Sequence, residues 1–322
     1  MIDRYLKDGV FYVKNPNSIR EFTSQIAGRI NRPSSIDVAF ANAGLTSSGG
    51  HPVLLYEHVL RESRYQPLIG EVPAGWFKNR GYVVIDHEAD LQRQWAWILA
   101  GKPDFLKIYL AHSEDARRSS QADGAAGRKG LDPALVPAIV ARAHREGLRV
   151  TAHVETAADF RLALSAGVDE IAHVPGWLLE TSEEASRLLL TDEDARRAAR
   201  AGVTVVTTTV AMQPQAGGHG HHEAEPFRHE SGHASHGAPS HRFSTEASLW
   251  PLVQDIQTRN LRLLYRHGVK LAIGSDHAAT SLAEVLHLHE LRIFDNLTLL
   301  KLWCEQTPRS IFPHRKIGSL EE

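Results

Sequence analysis

A parallel α/β architecture of repeated βα units is what this 322-residue sequence predicts, and three observations predict it. Short apolar, β-branched runs alternate with stretches of helical periodicity, the order expected of parallel strands joined by crossover helices. The runs are continuously apolar rather than alternating, as in strands covered on both faces. Helix–glycine–strand junctions recur three times in succession, at Gly147-Leu148-Arg149-Val150, Gly167-Val168-Asp169-Glu170 and Gly202-Val203-Thr204. Such regular punctuation marks repeated βα units.

Taken in order, strands are predicted at residues 10–13, 36–41, 105–110, 150–154, 170–174, 203–210 and 271–274. A helix over 133–146 places Leu135, Ile139, Val140 and Ala143 on one face and stops at Gly147. A second over 156–166 stops at Gly167. A third over 191–201 carries Asp192, Glu193 and Asp194 in its first turn and Arg196, Arg197 and Arg200 later, the order that suits the helix dipole. Two segments break the rhythm. Residues 44–81 read as an inserted excursion containing Gly49-Gly50 and Pro73-Ala74-Gly75. Residues 212–243 read as a His-, Gly- and Ser-rich insertion in a strand-to-helix connection, with His219, His221, His222, His229, His233, His236 and His241. Ordinary connections of this kind run about 2–6 residues.

Composition excludes several classes. Hydrophobic residues make up 42% and charged residues 23%, near the average for a globular protein. Lys and Arg total 36 against 38 Asp and Glu, a net charge of −2. That balance gives no electrostatic grip on nucleic acid or an anionic membrane. The single cysteine, Cys304, allows no intrachain disulfide. Its setting, Leu302-Trp303-Cys304, reads as a buried helix position rather than a catalytic thiol. No run reaches the roughly 18–20 apolar residues needed to span a bilayer. The first residues have no apolar signal core, so a cytoplasmic location is the default expectation.

Four residues stand where chemistry is expected. Lys107 interrupts the apolar strand Phe105-Leu106-Lys107-Ile108-Tyr109-Leu110. Burying an unpaired ammonium costs several kcal/mol, so Lys107 is either salt-bridged or snorkelling, or has its pKa lowered and its amine available. His153 and His173 lie one βα unit apart, each at the C-terminal end of its strand. In a closed barrel those ends form the active-site face, and neutral imidazoles are common zinc ligands. Asp276 follows the last strand in Ile273-Gly274-Ser275-Asp276. It serves either as a helix cap or as a carboxylate that binds metal and takes a proton from water.

Together these residues resemble the amidohydrolase superfamily, over most of the chain. The resemblance implies a (β/α)8 TIM-barrel-like fold, with residues 1–312 forming the barrel and 313–322 beginning the exit into a small β-sandwich. It implies that Lys107 is carboxylated by carbon dioxide and bridges metals, that His153 and His173 bind metal, and that Asp276 binds metal and acts as base. The implied cofactor is one or two divalent ions, zinc first. The implied reaction is hydrolysis of an amide, cyclic amide or related C–N bond in a small molecule. Tyr109, His112, Lys14, Asn15 and Asn42 are candidates to line the substrate pocket, with Trp177 beside them. The family opens with a strand ending in His-x-His, and no such pair precedes Val10. The expectation is therefore a barrel lacking strand 1 and most of the flanking sandwich. The open edges predict low stability or homo-oligomerisation. Two alternatives stay open: an impaired fragment or pseudoenzyme, and a metal buffer built on the His-rich insertion.

Overall fold

The computed structural model describes residues 2–64, 71–116, 128–176, 179, 181–211, 213, 246–276 and 281–318. Almost all of the His-rich insertion, Trp177 and residues 319–322 lie outside the described residues.

Parallel strands dominate. A seven-stranded sheet runs in the order β4-β3-β5-β6-β7-β8-β9, and β1 pairs with β2 in a separate two-stranded sheet. The strands are β1 Tyr12–Asn15, β2 Asp37–Phe40, β3 Gly44–Thr46, β4 Tyr82–Val84, β5 Phe105–Tyr109, β6 Arg149–His153, β7 Glu170–Ala172, β8 Thr204–Val206 and β9 Lys270–Ala272. From β5 to β9 each strand pairs with the next in the chain, so the βα repeat read from the three glycine junctions is the repeat that forms.

The helices between them start and stop as the sequence dictates. Helix Ala157–Ala166 begins at a capping box in which Thr156 accepts from the Asp159 N–H, and ends at Gly167 with φ +79. Helix Asp192–Ala201 repeats the design with Thr191, Asp194 and Gly202, φ +66. Outward-facing strand residues Leu106, Ile108, Leu110, Val150, Ala152, Val154 and Ile171 pack on these helices in the main core. The intervening positions, Lys107, Tyr109, Thr151 and His153, therefore belong to the opposite, interior face.

Three expectations change. Residues 44–81 are no mere excursion: β3 opens the stretch, helix Leu55–Arg64 follows, and β4 begins just after it. Three-residue strands are too short to show periodicity. Gly44 is needed there because a Cβ would come 2.5 Å from the Tyr109 ring and 3.1 Å from Lys107 Cγ. The strands predicted at 170–174 and 203–210 end early, because His173 and Thr208 adopt φ of +77 and +47, which no strand accommodates. Cys304 is exposed rather than buried.

The barrel is not closed by strand pairing. Past β9 the Ile273 N–H donates to the Thr307 hydroxyl at 2.8 Å. Arg149 donates to the Ser310 carbonyl at 2.8 Å, Phe312 meets Tyr12 edge-on, and Arg315 pairs with Asp37 at 2.7 Å. Segment 307–315 thus ties β9, β6, β1 and β2 together.

Candidate metal centre

The interior is layered. In the lower layer Lys14 reaches from β1 to Glu170 at 2.6 Å and Thr151 at 2.9 Å, with its ammonium 4.1 Å from the Phe105 ring centroid. Nearer the strand C-termini lie Tyr109, His153, His173 and Asp276, while Lys107 is in register with Thr151.

Lys107 is 3% exposed. Among the described residues its ammonium has no hydrogen-bond partner. Burial lowers its pKa to about 8, against the opposing pull of Asp276 and Glu170. The rings of His153 and His173 meet edge-on with centroids 4.7 Å apart. His173 Nε2 lies 3.8 Å from Asp276 Oδ2.

Hydrogen bonding fixes which nitrogen of His173 carries the proton. The Thr208 hydroxyl donates its only hydrogen to the Thr207 carbonyl at 2.9 Å. It must therefore accept from His173 Nδ1–H, 2.7 Å away. Burial, with His153, Lys107 and His51 nearby, holds the His173 pKa well below its usual value, so the ring is neutral and Nε2 carries a lone pair. At His153 the arrangement is reversed. Nε2 faces the Glu155 carboxylate and donates to it at 3.2 Å.

Sequence reasoning missed His51 and Glu155. His51 stacks on His153 with centroids 4.5 Å apart and planes at 10°, and meets Tyr109 edge-on. Burial and the neighbouring His153 lower its pKa to about 3. Glu155 also accepts from His112 Nε2 at 3.1 Å. Burial would raise the Glu155 carboxyl, but the hydrogen bonds from His112 and His153 reverse this and lower it. His112 in turn is raised, burial being outweighed by Glu155. The signal for His51 lay in Gly49-Gly50-His51-Pro52, inside the stretch read as an excursion.

Of the candidate pocket residues, Tyr109 and His112 adjoin this cluster. Lys14 is committed to Glu170 in the layer below. Asn15 bonds the Asn17 N–H in its own turn. Asn42 is tied to the Gly101 carbonyl at 2.9 Å. Their amides and ammonium are spent on the scaffold rather than on the cluster.

Imidazole nitrogens and carboxylates are divalent-metal donors, but His153, His173 and Asp276 do not bring three ligand atoms within 4.8 Å of one another. Among the described residues the groups that do so are His51, His153 and Glu155, and His112, Glu114 and Asp115.

Solved structures with this fold are amidohydrolase-family hydrolases. A. niger ochratoxinase superposes with a TM-score of 0.65 at 17% identity, over 99% of this chain and 65% of that one. A Xaa-Pro dipeptidase with methionine bound in its active site gives 0.61 at 16% identity, over 98% and 68%. Phenylurea hydrolase B gives 0.58 at 11% identity, over 98% and 67%. The chain thus spans about two thirds of the length of these structures. No protein-family model matches the sequence, and no curated protein matches it. The chain has the barrel-like α/β fold of amidohydrolase-family enzymes.

Proposed function

We propose that this chain is a metal-dependent hydrolase of the amidohydrolase superfamily that cleaves an amide, cyclic amide or related C–N bond of a small molecule. One observation carries the reading. His173 Nε2 and Asp276 Oδ2 face each other at 3.8 Å, and both are acceptors. An imidazole nitrogen and a carboxylate oxygen at this spacing are a donor pair that one divalent ion can bridge. Lys107, His153, His173 and Asp276 would hold it, with zinc the first choice and one or two ions accommodated. A bound divalent metal supplies Lewis acidity toward the carbonyl and lowers the pKa of water.

The chain's own groups do the rest. Asp276, at the mouth of the site with its side chain 42% exposed, accepts the proton of the attacking water and returns it to the leaving nitrogen. Lys107, with a pKa of about 8, has a substantial free-amine fraction near neutrality, the form that captures carbon dioxide. Tyr109 and His112 flank the acyl group. Ochratoxinase, the dipeptidase and phenylurea hydrolase B share the fold, so N-acyl amino acids, Xaa-Pro dipeptides and aryl ureas form the first substrate panel.

The test is zinc-loaded protein against that panel, with Asp276→Asn beside it. The expected result is hydrolysis of at least one class, lost in Asp276→Asn while metal is retained. Unchanged turnover in the variant removes Asp276 as base. Metal that stays bound after His153→Ala and His173→Ala, yet leaves with the 217–242 deletion, replaces the enzyme with a metal buffer.

A further inference from the structure

We infer that Glu155 is a positioning residue that locks the ring of His153 through its Nε2–H, and that His112 and Asp159 hold Glu155 in place. The inference rests on the metal-centre reading above and adds residues to it.

The carboxylate of Glu155 is 13% exposed and divided between two rings. One oxygen accepts from His153 Nε2 at 3.2 Å, the other from His112 Nε2 at 3.1 Å. An ionised carboxylate has no hydrogen to give, so in both contacts the ring Nε2–H is the donor. The backbone beneath is gathered onto one side chain. Asp159, fully buried, accepts from the N–H groups of His112 at 3.1 Å, Ser113 at 2.8 Å, Glu155 at 3.1 Å and Thr156 at 3.0 Å. The loops after β5 and β6 are thereby fixed to each other. Thr156 adds a bond to Glu114 at 3.0 Å. His51 then covers one face of the His153 ring. The ring is held by its edge and by its face, which is more constraint than packing alone requires.

A metal-ligating histidine works when its second nitrogen is fixed by an acceptor, which selects the tautomer and makes the ligand nitrogen more basic; loss of such a partner costs about 10–100-fold in metal affinity. Glu155 stands where that partner belongs. The competing assignment makes Glu155 itself a ligand with His51 and His153, whose donor atoms lie within 4.8 Å of one another. However, the carboxylate is already shared between two N–H donors, and the His51 and His153 planes are stacked, so neither ring plane points at a common centre.

The experiment uses the full chain and zinc alone. Zinc stoichiometry and affinity, by chelator competition, are compared for wild type, Glu155→Gln, Glu155→Ala and His112→Asn, with thermal unfolding as the check on folding. Long-range 1H–15N spectra of the metal-free protein read the His153 tautomer. The positioning role predicts unchanged stoichiometry, affinity weakened about 10–100-fold in Glu155→Ala and less in Glu155→Gln and His112→Asn. It also predicts an Nε2–H tautomer in wild type that becomes mixed in Glu155→Gln. Loss of a zinc equivalent in both Glu155 variants makes Glu155 a ligand and overturns the inference. Wild-type affinity and an unchanged tautomer in Glu155→Gln overturn it as well. A His153→Ala variant measured alongside separates the two readings: if it binds zinc as wild type does, it is the metal-centre reading that falls.

Discussion

Lys14 and Lys107 are both lysines buried in the barrel interior, and the protein treats them oppositely. Lys14 has a carboxylate at 2.6 Å, a hydroxyl at 2.9 Å and an aromatic face beneath it. Lys107 is more deeply buried, at 3% exposure, and among the described residues it has no hydrogen-bond partner, only the Tyr109 ring 5.4 Å from its ammonium. A buried charge with good partners is scaffold. One left without them is a standing cost that only chemistry explains.

The comparison breaks most sharply at Glu170. Glu170→Gln removes the charge that compensates Lys14, and unfolding in urea should show a loss of about 3–5 kcal/mol. A loss under 1 kcal/mol means that Lys14 is solvated and the contrast is false.

Lys107 should behave in the other direction. A pKa of about 8 in the fold against about 10.4 in an open chain makes the folded ammonium less favourable by on the order of 3 kcal/mol. The unfolded chain binds the extra proton between these values, so stability of the metal-free protein rises as pH climbs from about 8 to 10. In Lys107→Met that rise should flatten and stability at pH 7 should increase, while zinc stoichiometry falls. An unaltered pH profile in the variant assigns the rise to another group.

On the acid side the sign follows from His51. Its pKa of about 3 means that below about 6.5 the unfolded ring takes a proton that the folded one refuses. At pH 5 this amounts to about 2 kcal/mol lost relative to pH 7, and His173 adds to it in the same direction. Denaturation of His51→Asn at the two pH values should show a smaller difference than wild type; an equal difference locates the acid lability elsewhere.

The smallest effect is expected at Thr208. Thr208→Val removes the acceptor for His173 Nδ1–H at a cost of about 1–3 kcal/mol and releases the ring to its other tautomer. Zinc affinity measured beside stability separates the two consequences. Retention of both would show that the ring needs no such partner.

Lys107, His153, His173 and Asp276 were legible in the sequence because each interrupts or ends an apolar run, and strand ends in a barrel share a face. The helix stops at Gly167 and Gly202 were legible because a left-handed cap selects glycine. What was not legible depends on partners distant in the chain. His51 comes from a loop before a short helix, and only the fold stacks it on His153. Glu155 sits two residues after His153 in the same motif, yet its role is set by His112, contributed by the previous strand's loop. Lys14 looked like a pocket residue until β1 was seen to face β6 and β7. Three-residue strands such as β3 and β4 carry too few side chains to declare a period.

Five residues in or beside this layer, Asn42, His112, His173, Thr208 and Asp276, hold φ between +47 and +77, a region that side chains other than glycine occupy reluctantly. Each such backbone stores on the order of 1–3 kcal/mol, and β-branched Thr208 the more so. The barrel carries this as tension concentrated at its mouth. Selection for thermal endurance alone would therefore drift toward glycine at these positions, relaxing the backbone and erasing the side chains together.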